Sequence, residues 1–222
     1  MNLYVVVEGT TERTVYSRWI PTINPTLQCV EHPSLVHENQ FCVISGMGYP
    51  MYWDILHAAI DDINTHGNFD RLITCLDSHD MTLEEKLSEV EVQLTGRTCI
   101  AKILVVIQHF CFEAWALGNR VLVRRHPNSQ RLRDFKAIYD VRQHDPELLP
   151  PHPTNGWPRS QFAEAYLKTA FNERGRNLTY SKGQAHYIGD PHYLNQLTLR
   201  NRETGHIPSF SRFLEAFSLA ES

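Results

Sequence analysis

The chain has 222 residues, of which 42% are hydrophobic and 21% charged, and its formal net charge is −4. That length can bury a substantial core, and the composition belongs to a folded globular chain rather than a disordered one. The negative balance excludes a protein whose whole surface coats nucleic acid, but not one that grips a phosphate backbone through a local patch.

Residues 3–7 (LYVVV) form a continuous valine-rich run, the pattern of a strand buried on both faces of a parallel sheet. No basic n-region or long apolar stretch surrounds it, so neither a signal peptide nor a membrane span is expected, and a cytoplasmic location follows by default. Gly9, Thr10 and Thr11 break the run, and helical spacing predicts a helix over residues 12–20 that Pro21 ends. The unit then recurs. Residues 41–44 predict a second strand, Gly46 and Gly48 a tight turn, and residues 52–63 an amphipathic helix with Ile55, Ala59 and Ile63 on one face. Residues 71–76 predict a third strand and residues 82–94 its helix; residues 103–107 predict a fourth, with a helix beginning near Phe112.

Strands alternating with helices imply right-handed crossovers, so the expected fold class is α/β: a mainly parallel sheet flanked by helices. Beyond Arg120 no strong strand pattern remains. Residues 131–139, 161–172 and 207–217 predict helices, the last with Phe210, Phe213, Leu214 and Phe217 facing inward. Residues 145–158 hold five of the twelve prolines and predict a loop. We therefore expect a sheet core over residues 1–118 and a helical half over residues 119–222 packed on it as one unit.

The five cysteines are scattered and mostly set among apolar residues, as reduced core thiols would be. The twelve histidines show no C-x-x-C, no H-E-x-x-H and no pair at i, i+4 spacing, which argues against zinc. His109 and His126 have no partner at ligand spacing.

Acidic residues are placed more tellingly. In open α/β sheets ligands bind beyond the carboxyl ends of the strands. Glu8 follows the first predicted strand directly, Asp77 follows the third, and Glu113 comes shortly after the fourth. Glu12 stands one helical turn beyond Glu8. Carboxylates converging on one crevice suit Mg²⁺ or Mn²⁺, which take oxygen ligands and keep water positions open. Each acid also has a local reading: Asp77 as a helix cap, Glu12 as a complement to the helix dipole, Glu113 as a solvated side chain.

These residues carry a family resemblance. VVVEGTTE, with Glu8 and Glu12, resembles the opening motif of Toprim domains, and CLDSHD, from Cys75 to Asp80, resembles that family's Asp-x-Asp motif. CFEAW, from Cys111 to Trp115, is similar to the Ser-x-Glu or Cys-Phe-Glu-Leu-Trp motif of OLD-type and RloB-like Toprim proteins, and IPSFSRFLEAF is similar to the closing helix of small stand-alone members. The resemblance implies a Toprim-like Rossmannoid core and a metal-dependent nuclease of prokaryotic anti-phage systems, working with an ABC-type or AAA-type ATPase encoded nearby. It implies Glu8 as the catalytic glutamate, Glu12 as its neighbouring metal ligand, Asp77 as the first aspartate, Glu113 as the later glutamate, and Lys182, in YSKGQ, as the phosphate-stabilising lysine. The chain departs from the pattern twice. His79 stands where the motif has its second aspartate, with Asp80 one position later, and Cys111 stands where OLD-type enzymes carry serine. His79 and Asp80 both remain candidate metal ligands.

Arg120, Arg124, Arg125 and Arg131 follow Glu113 and are candidates for nucleic-acid contacts, with Arg133 in the same stretch and Arg174, Arg176, Arg200 and Arg202 further on; a solvated polar face is the other reading. Trp53, Trp115 and Trp157 suit core packing better than base stacking. Two rivals stand beside the nuclease: a hydrolytically silent adaptor of the same fold, and a primase-like transferase, for which no nucleotide site is evident. A homo-oligomer is left open.

Overall fold

A computed structural model describes residues 1–175, 178–183 and 185–218. The first strand, β1 (Leu3–Val7), is buried throughout because its side chains alternate between two cores. Leu3, Val5 and Val7 enter one apolar cluster with α1 (Thr10–Ile23), while Tyr4 and Val6 enter a second with α2 (Met51–His66). Each fully buried aliphatic side chain there contributes about 2 kcal/mol of transfer free energy. The arrangement is what a parallel sheet covered on both faces requires.

β1 sits at the centre of an all-parallel five-stranded sheet of order β2-β3-β1-β4-β5, with β2 Gln28–Val30, β3 Gln40–Ser45, β4 Arg71–Asp77 and β5 Lys102–Gln108. The chain first builds β2 and β3 on one side of β1, then crosses to build β4 and β5 on the other. The crevice between β1 and β4 is therefore the topological switch point, where sheets of this class take ligands. α3 (Leu83–Leu94) joins α2 on its face, and its N-terminus is closed by a capping box between Thr82 and Glu85.

The fold class is α/β, with helices on both faces and a helical C-terminal half. The short α4 (Phe112–Ala116) closes the core, and the helical half comprises α5 (Gln130–Ile138), α6 (Arg159–Arg174), α7 (Pro191–Thr204) and α8 (Pro208–Phe217). α8 lays Phe210 and Phe213 against Trp19 and Trp115, so one apolar cluster runs from β1 to the last helix. Among the described residues no helix is long and apolar enough to cross a membrane. All five cysteines are free; Cys42, Cys75 and Cys111 are buried, whereas Cys29 is exposed on β2.

Three elements differ from the sequence pattern. α1 does not stop at Pro21 but carries it in its last turn; a proline there removes one N–H, and Asn24 N–H donating to the Ile20 carbonyl at 2.8 Å closes the helix beyond it. β2 has only three residues, too few for a periodic signal. α7 is rich in polar residues and escapes a hydrophobic pattern, although Asp190 capping, Pro191 in the first turn and Gly205 in the left-handed conformation all mark its ends.

Candidate metal centre

Glu8 is the first residue past β1 and Asp77 the last of β4, so two adjacent parallel strands end on neighbouring carboxylates. Glu8 Oε2 accepts the Asp77 backbone N–H at 3.0 Å, which fixes the glutamate against the sheet edge. His79 follows with a φ of 53°, a left-handed conformation that few residues other than glycine adopt without cost. Its N–H donates to the Phe110 carbonyl at 3.1 Å, and its Nε2 lies 3.4 Å from Glu8 Oε1. One ligand atom from each of Glu8, Asp77 and His79 lies within 4.8 Å of the other two.

Asp77 is held from beneath. Gln108, its register partner at the end of β5, donates Nε2 to Asp77 Oδ1, and Gln108 Oε1 in turn accepts the Tyr16 hydroxyl. A buried amide thus sets the carboxylate's orientation from the core. The turn between β3 and α2 supports Glu8 from the other side: Gly46 N–H donates to Val7 O and Gly48 N–H to Glu8 O. Gly46 leaves no room for a side chain, since a Cβ there would meet the Tyr52 ring at 2.3 Å, and Gly48 has a φ of 77°. This is a structural turn that shapes one wall of the site.

Glu12, on the first turn of α1, and Glu113, on α4, come to the site from helices rather than strand ends. Together with Glu8, Asp77 and Lys182 they line one cleft of about 310 Å³. Glu113 Oε1 accepts the Tyr180 hydroxyl at 2.8 Å, and Gly183 N–H donates to Thr11 Oγ1 at 3.0 Å, so the segment carrying Lys182 is pinned at both its ends to the cleft. Lys182 Nζ lies 3.8 Å from Glu164 Oε2.

The electrostatics distinguish the acids. Burial pushes the Glu12 carboxyl up to about 7, with Glu113 and Glu8 adding to the rise. Burial also drives Asp77 well above the usual carboxylate range, reinforced by Glu8, Glu12 and Glu113. Glu8 goes the other way: burial opposes ionisation, but hydrogen bonds from His79 and the Asp77 N–H, with the His79 and Lys86 charges, hold it below its ordinary value. For Lys182 burial is outweighed by Glu113, Glu164 and Asp77, which keep it protonated. Among the described residues lining the cleft, Lys182 is the one cation facing four carboxylates. That excess of oxygen donors is of the kind that takes a divalent cation, and Glu8, Asp77 and His79 are the residues that could hold one.

The local readings fail for Asp77 and Glu113, whereas Glu12 does lie in the first turn of α1. Thr82, not Asp77, caps α3, and Glu113 is 6% exposed rather than solvated. Asp80 is exposed and does not line the cleft; His79 is exposed and outside the lining as well, but its ring reaches Glu8. The arginines are not brought to the cleft either. Arg120 pairs with Glu203 at 2.5 Å, and Arg124 lies 3.9 Å from Glu173 while donating to its carbonyl. Arg125 is exposed, and Arg131 stacks 5.3 Å from the Phe135 ring centroid. α4 ends at Ala116, so these side chains meet the acids and aromatics of the C-terminal half instead. Arg176 lies outside the described residues.

The sequence pattern also passed over Lys86. It is 1% exposed, yet its Nζ lies 2.9 Å from Glu89 Oε2, donates to the Tyr49 hydroxyl and sits 4.4 Å from the Tyr49 ring centroid. The Tyr49 ring stands edge-on to His79 at 5.7 Å, so this lysine and tyrosine back the histidine from behind. A lysine on the apolar stripe of α3, between Leu83 and Val90, was the available signal. In comparisons with known proteins, no family model, no curated protein and no solved structure matches the chain.

Proposed function

We propose that the chain is a divalent-metal-dependent nuclease of the Toprim class that hydrolyses phosphodiester bonds of DNA or RNA. The observation that carries this reading is the meeting of Glu8, Asp77 and His79 within 4.8 Å at the switch point of the sheet, where Glu8 and Asp77 share a cleft with Glu12, Glu113 and Lys182. The order of the VVVEGTTE, CLDSHD and CFEAW segments supports the class. When bound, Mg²⁺ or Mn²⁺ supplies Lewis-acid stabilisation of charge on the phosphate.

The chain's own residues do the rest. Glu8 and Asp77 are oriented by a backbone N–H and a buried amide respectively, and need no rearrangement to act as ligands. Glu12, with a carboxyl near 7, is suited to hold or release a proton at neutral pH. Lys182 places an ammonium where negative charge builds on the phosphate. The imbalance of four carboxylates to one cation disfavours nucleic-acid binding by the isolated chain, which supports action in the cytoplasm beside an ATPase that delivers it, as an effector of anti-phage defence.

The test is calorimetric titration of the purified protein with Mn²⁺ and Mg²⁺, followed by incubation with DNA and RNA panels beside a Glu8→Gln control. Metal-dependent cleavage that the control lacks is the expected result. Mn²⁺ binding without cleavage, alone and with the ATPase encoded nearby, leaves the silent adaptor, which the histidine at position 79 favours; absence of metal binding removes both the centre and the nuclease.

A further inference from the structure

The face of α6 turned away from the core is polar. Gln161, Glu164, Lys168 and Asn172 recur along it at three- and four-residue intervals, so they share one face of the helix over roughly 16 Å. Across from them stand Arg131 of α5 and Trp157 of the proline-rich loop, and the two sides enclose a groove of about 330 Å³. The Arg131 guanidinium is held by aromatic rings rather than by a carboxylate: it lies 5.3 Å from the Phe135 ring centroid and 6.0 Å from that of Trp157. Such stacking fixes the guanidinium and leaves its fork of N–H donors unused. Lys168 is exposed, and among the described residues neither cation makes an ion pair. Glu164 is the one acid among the described residues lining the groove, and its Oε2 lies 3.8 Å from Lys182 Nζ. Lys182 also lines the metal cleft, so groove and cleft meet at this pair.

We propose that this groove is a subsite for single-stranded nucleic acid, holding the backbone that flanks a phosphodiester seated in the metal cleft. It rests on the nuclease reading of that cleft and specifies the form of its substrate. Arg131 and Lys168 supply charge for phosphates, the Gln161 and Asn172 amides supply neutral donors, and the Trp157 ring supplies a face on which a base stacks. Trp157 is half-buried: it stands edge-on to Phe135 and still lines the groove, so little of its freedom remains to be lost on stacking. Continuity with the cleft specifies the occupant. A nucleic-acid backbone repeats its negative charge, so one strand satisfies Arg131 and Lys168, passes Lys182 and enters the cleft. A duplex keeps its bases stacked on one another and offers none to Trp157. An acidic peptide matches the two cations but has neither a base for Trp157 nor a phosphate to carry it past Lys182.

Fluorescence anisotropy of the intact protein with labelled oligothymidylate and oligouridylate, in chelator, tests this. Weak binding that falls with salt is expected, because the metal-free cleft repels the strand and the groove alone attracts it. Arg131→Gln combined with Lys168→Gln should raise the dissociation constant about 10-fold and flatten the logarithmic salt slope by about 1.4, the loss of two single-strand phosphate contacts. Trp157→Ala should weaken binding about 10-fold and leave that slope unchanged. Lys102→Gln combined with Arg212→Gln removes two exposed charges outside the groove and should change affinity by less than about twofold. Circular dichroism establishes that each variant is folded; should Trp157→Ala fail to fold, the exposed charge pairs decide. Loss confined to the groove variants supports the subsite. Equal loss in the two charge pairs, unaltered binding in the groove pair, or no binding of either oligonucleotide at low salt overturns it. Displacement by oligoglutamate at equal charge concentration also overturns it and assigns the groove to an acidic partner. Metal binding is scored in its own titration, so failure of the groove and failure of the nuclease reading are distinct results.

Discussion

Glu8 and Glu12 leave the same strand-to-helix turn four residues apart and line one cleft, yet their carboxyls shift in opposite directions, which divides the cleft into a Glu8 flank built on strand ends and a Glu12 flank built on helices. On the Glu8 flank the Asp77 N–H and the His79 ring face the Glu8 carboxylate, and the Gln108 amide donates to one oxygen of Asp77. Glu8 is accordingly held ionised. Burial dominates at Glu12, as it does at Asp77: the Glu12 carboxyl rises to about 7, with Glu113 and Glu8 adding to the rise and Lys182 opposing it. Glu8 gains the N–H of the neighbouring strand end, whereas the backbone N–H available to Glu12 in its own helix turn is outweighed by burial. The two flanks are therefore suited to different work, ligation on one and proton handling with charge stabilisation on the other.

The largest test of that division is removal of ligands from the Glu8 flank. Glu8→Gln or Asp77→Asn should lower Mn²⁺ affinity and cleavage by at least about 100-fold, because the cluster keeps too few anionic donors. Glu12→Gln should lower cleavage comparably at neutral pH but cost Mn²⁺ affinity only about 10-fold. Titration calorimetry and single-turnover assays read the two quantities separately; equal losses of affinity in all three variants would merge the flanks into one site. His79→Ala comes next. A nitrogen ligand suits Mn²⁺ better than Mg²⁺, so the ratio of rates in the two metals should fall about 10-fold. An unchanged ratio in a folded variant would remove His79 from the centre.

Proton linkage sharpens the same contrast. Glu12 titrates at about 7 when folded against an ordinary 4.5, so between those values the native state binds more protons, and stability falls as pH rises. Glu147, pushed by burial to about 7, and Asp77, also raised, act in the same direction. Glu8 is lowered, so its contribution is present above its unfolded pKa and lost only in acid below that window. The metal-free protein should therefore melt on the order of 5 °C lower at pH 8 than at pH 5. Melting in a chelator checks this: Glu12→Gln should flatten the slope, and a melting temperature that rises with pH would contradict the buried, cation-poor flank.

How much of this was legible in the sequence follows from what each feature depends on. The parallel sheet could be read because LYVVV and ILVVI have few alternatives to buried strands, and the positions of Glu8 and Asp77 at strand ends followed from those runs. That Glu8, Glu12, Asp77 and Glu113 share one cleft was legible from those strand ends, whereas the left-handed turn at His79 that sets its exposed ring beside Glu8 was not. The Gln108 and Tyr16 support is a matter of register between β4 and β5, which no local pattern encodes. The arginine stretch misled for a related reason: closeness to Glu113 in sequence says nothing about direction once a five-residue helix has ended.

Lys182 gives the smallest and most discriminating effect. Its pairing with Glu164 is long, at 3.8 Å, and largely exposed, so that contact adds little to stability. What positions the lysine is the segment around it, tied by Tyr180 to Glu113 and by Gly183 to Thr11. Lys182→Met removes the charge and leaves both ties in place. If the lysine stabilises charge developing on the phosphate, the single-turnover rate should fall about 10-fold while Mn²⁺ affinity and melting temperature stay unchanged, and Lys182→Arg should recover part of the loss. A fall in metal affinity matching the fall in rate would instead mean that the lysine screens the carboxylates against one another, and the two flanks would then share one electrostatic role.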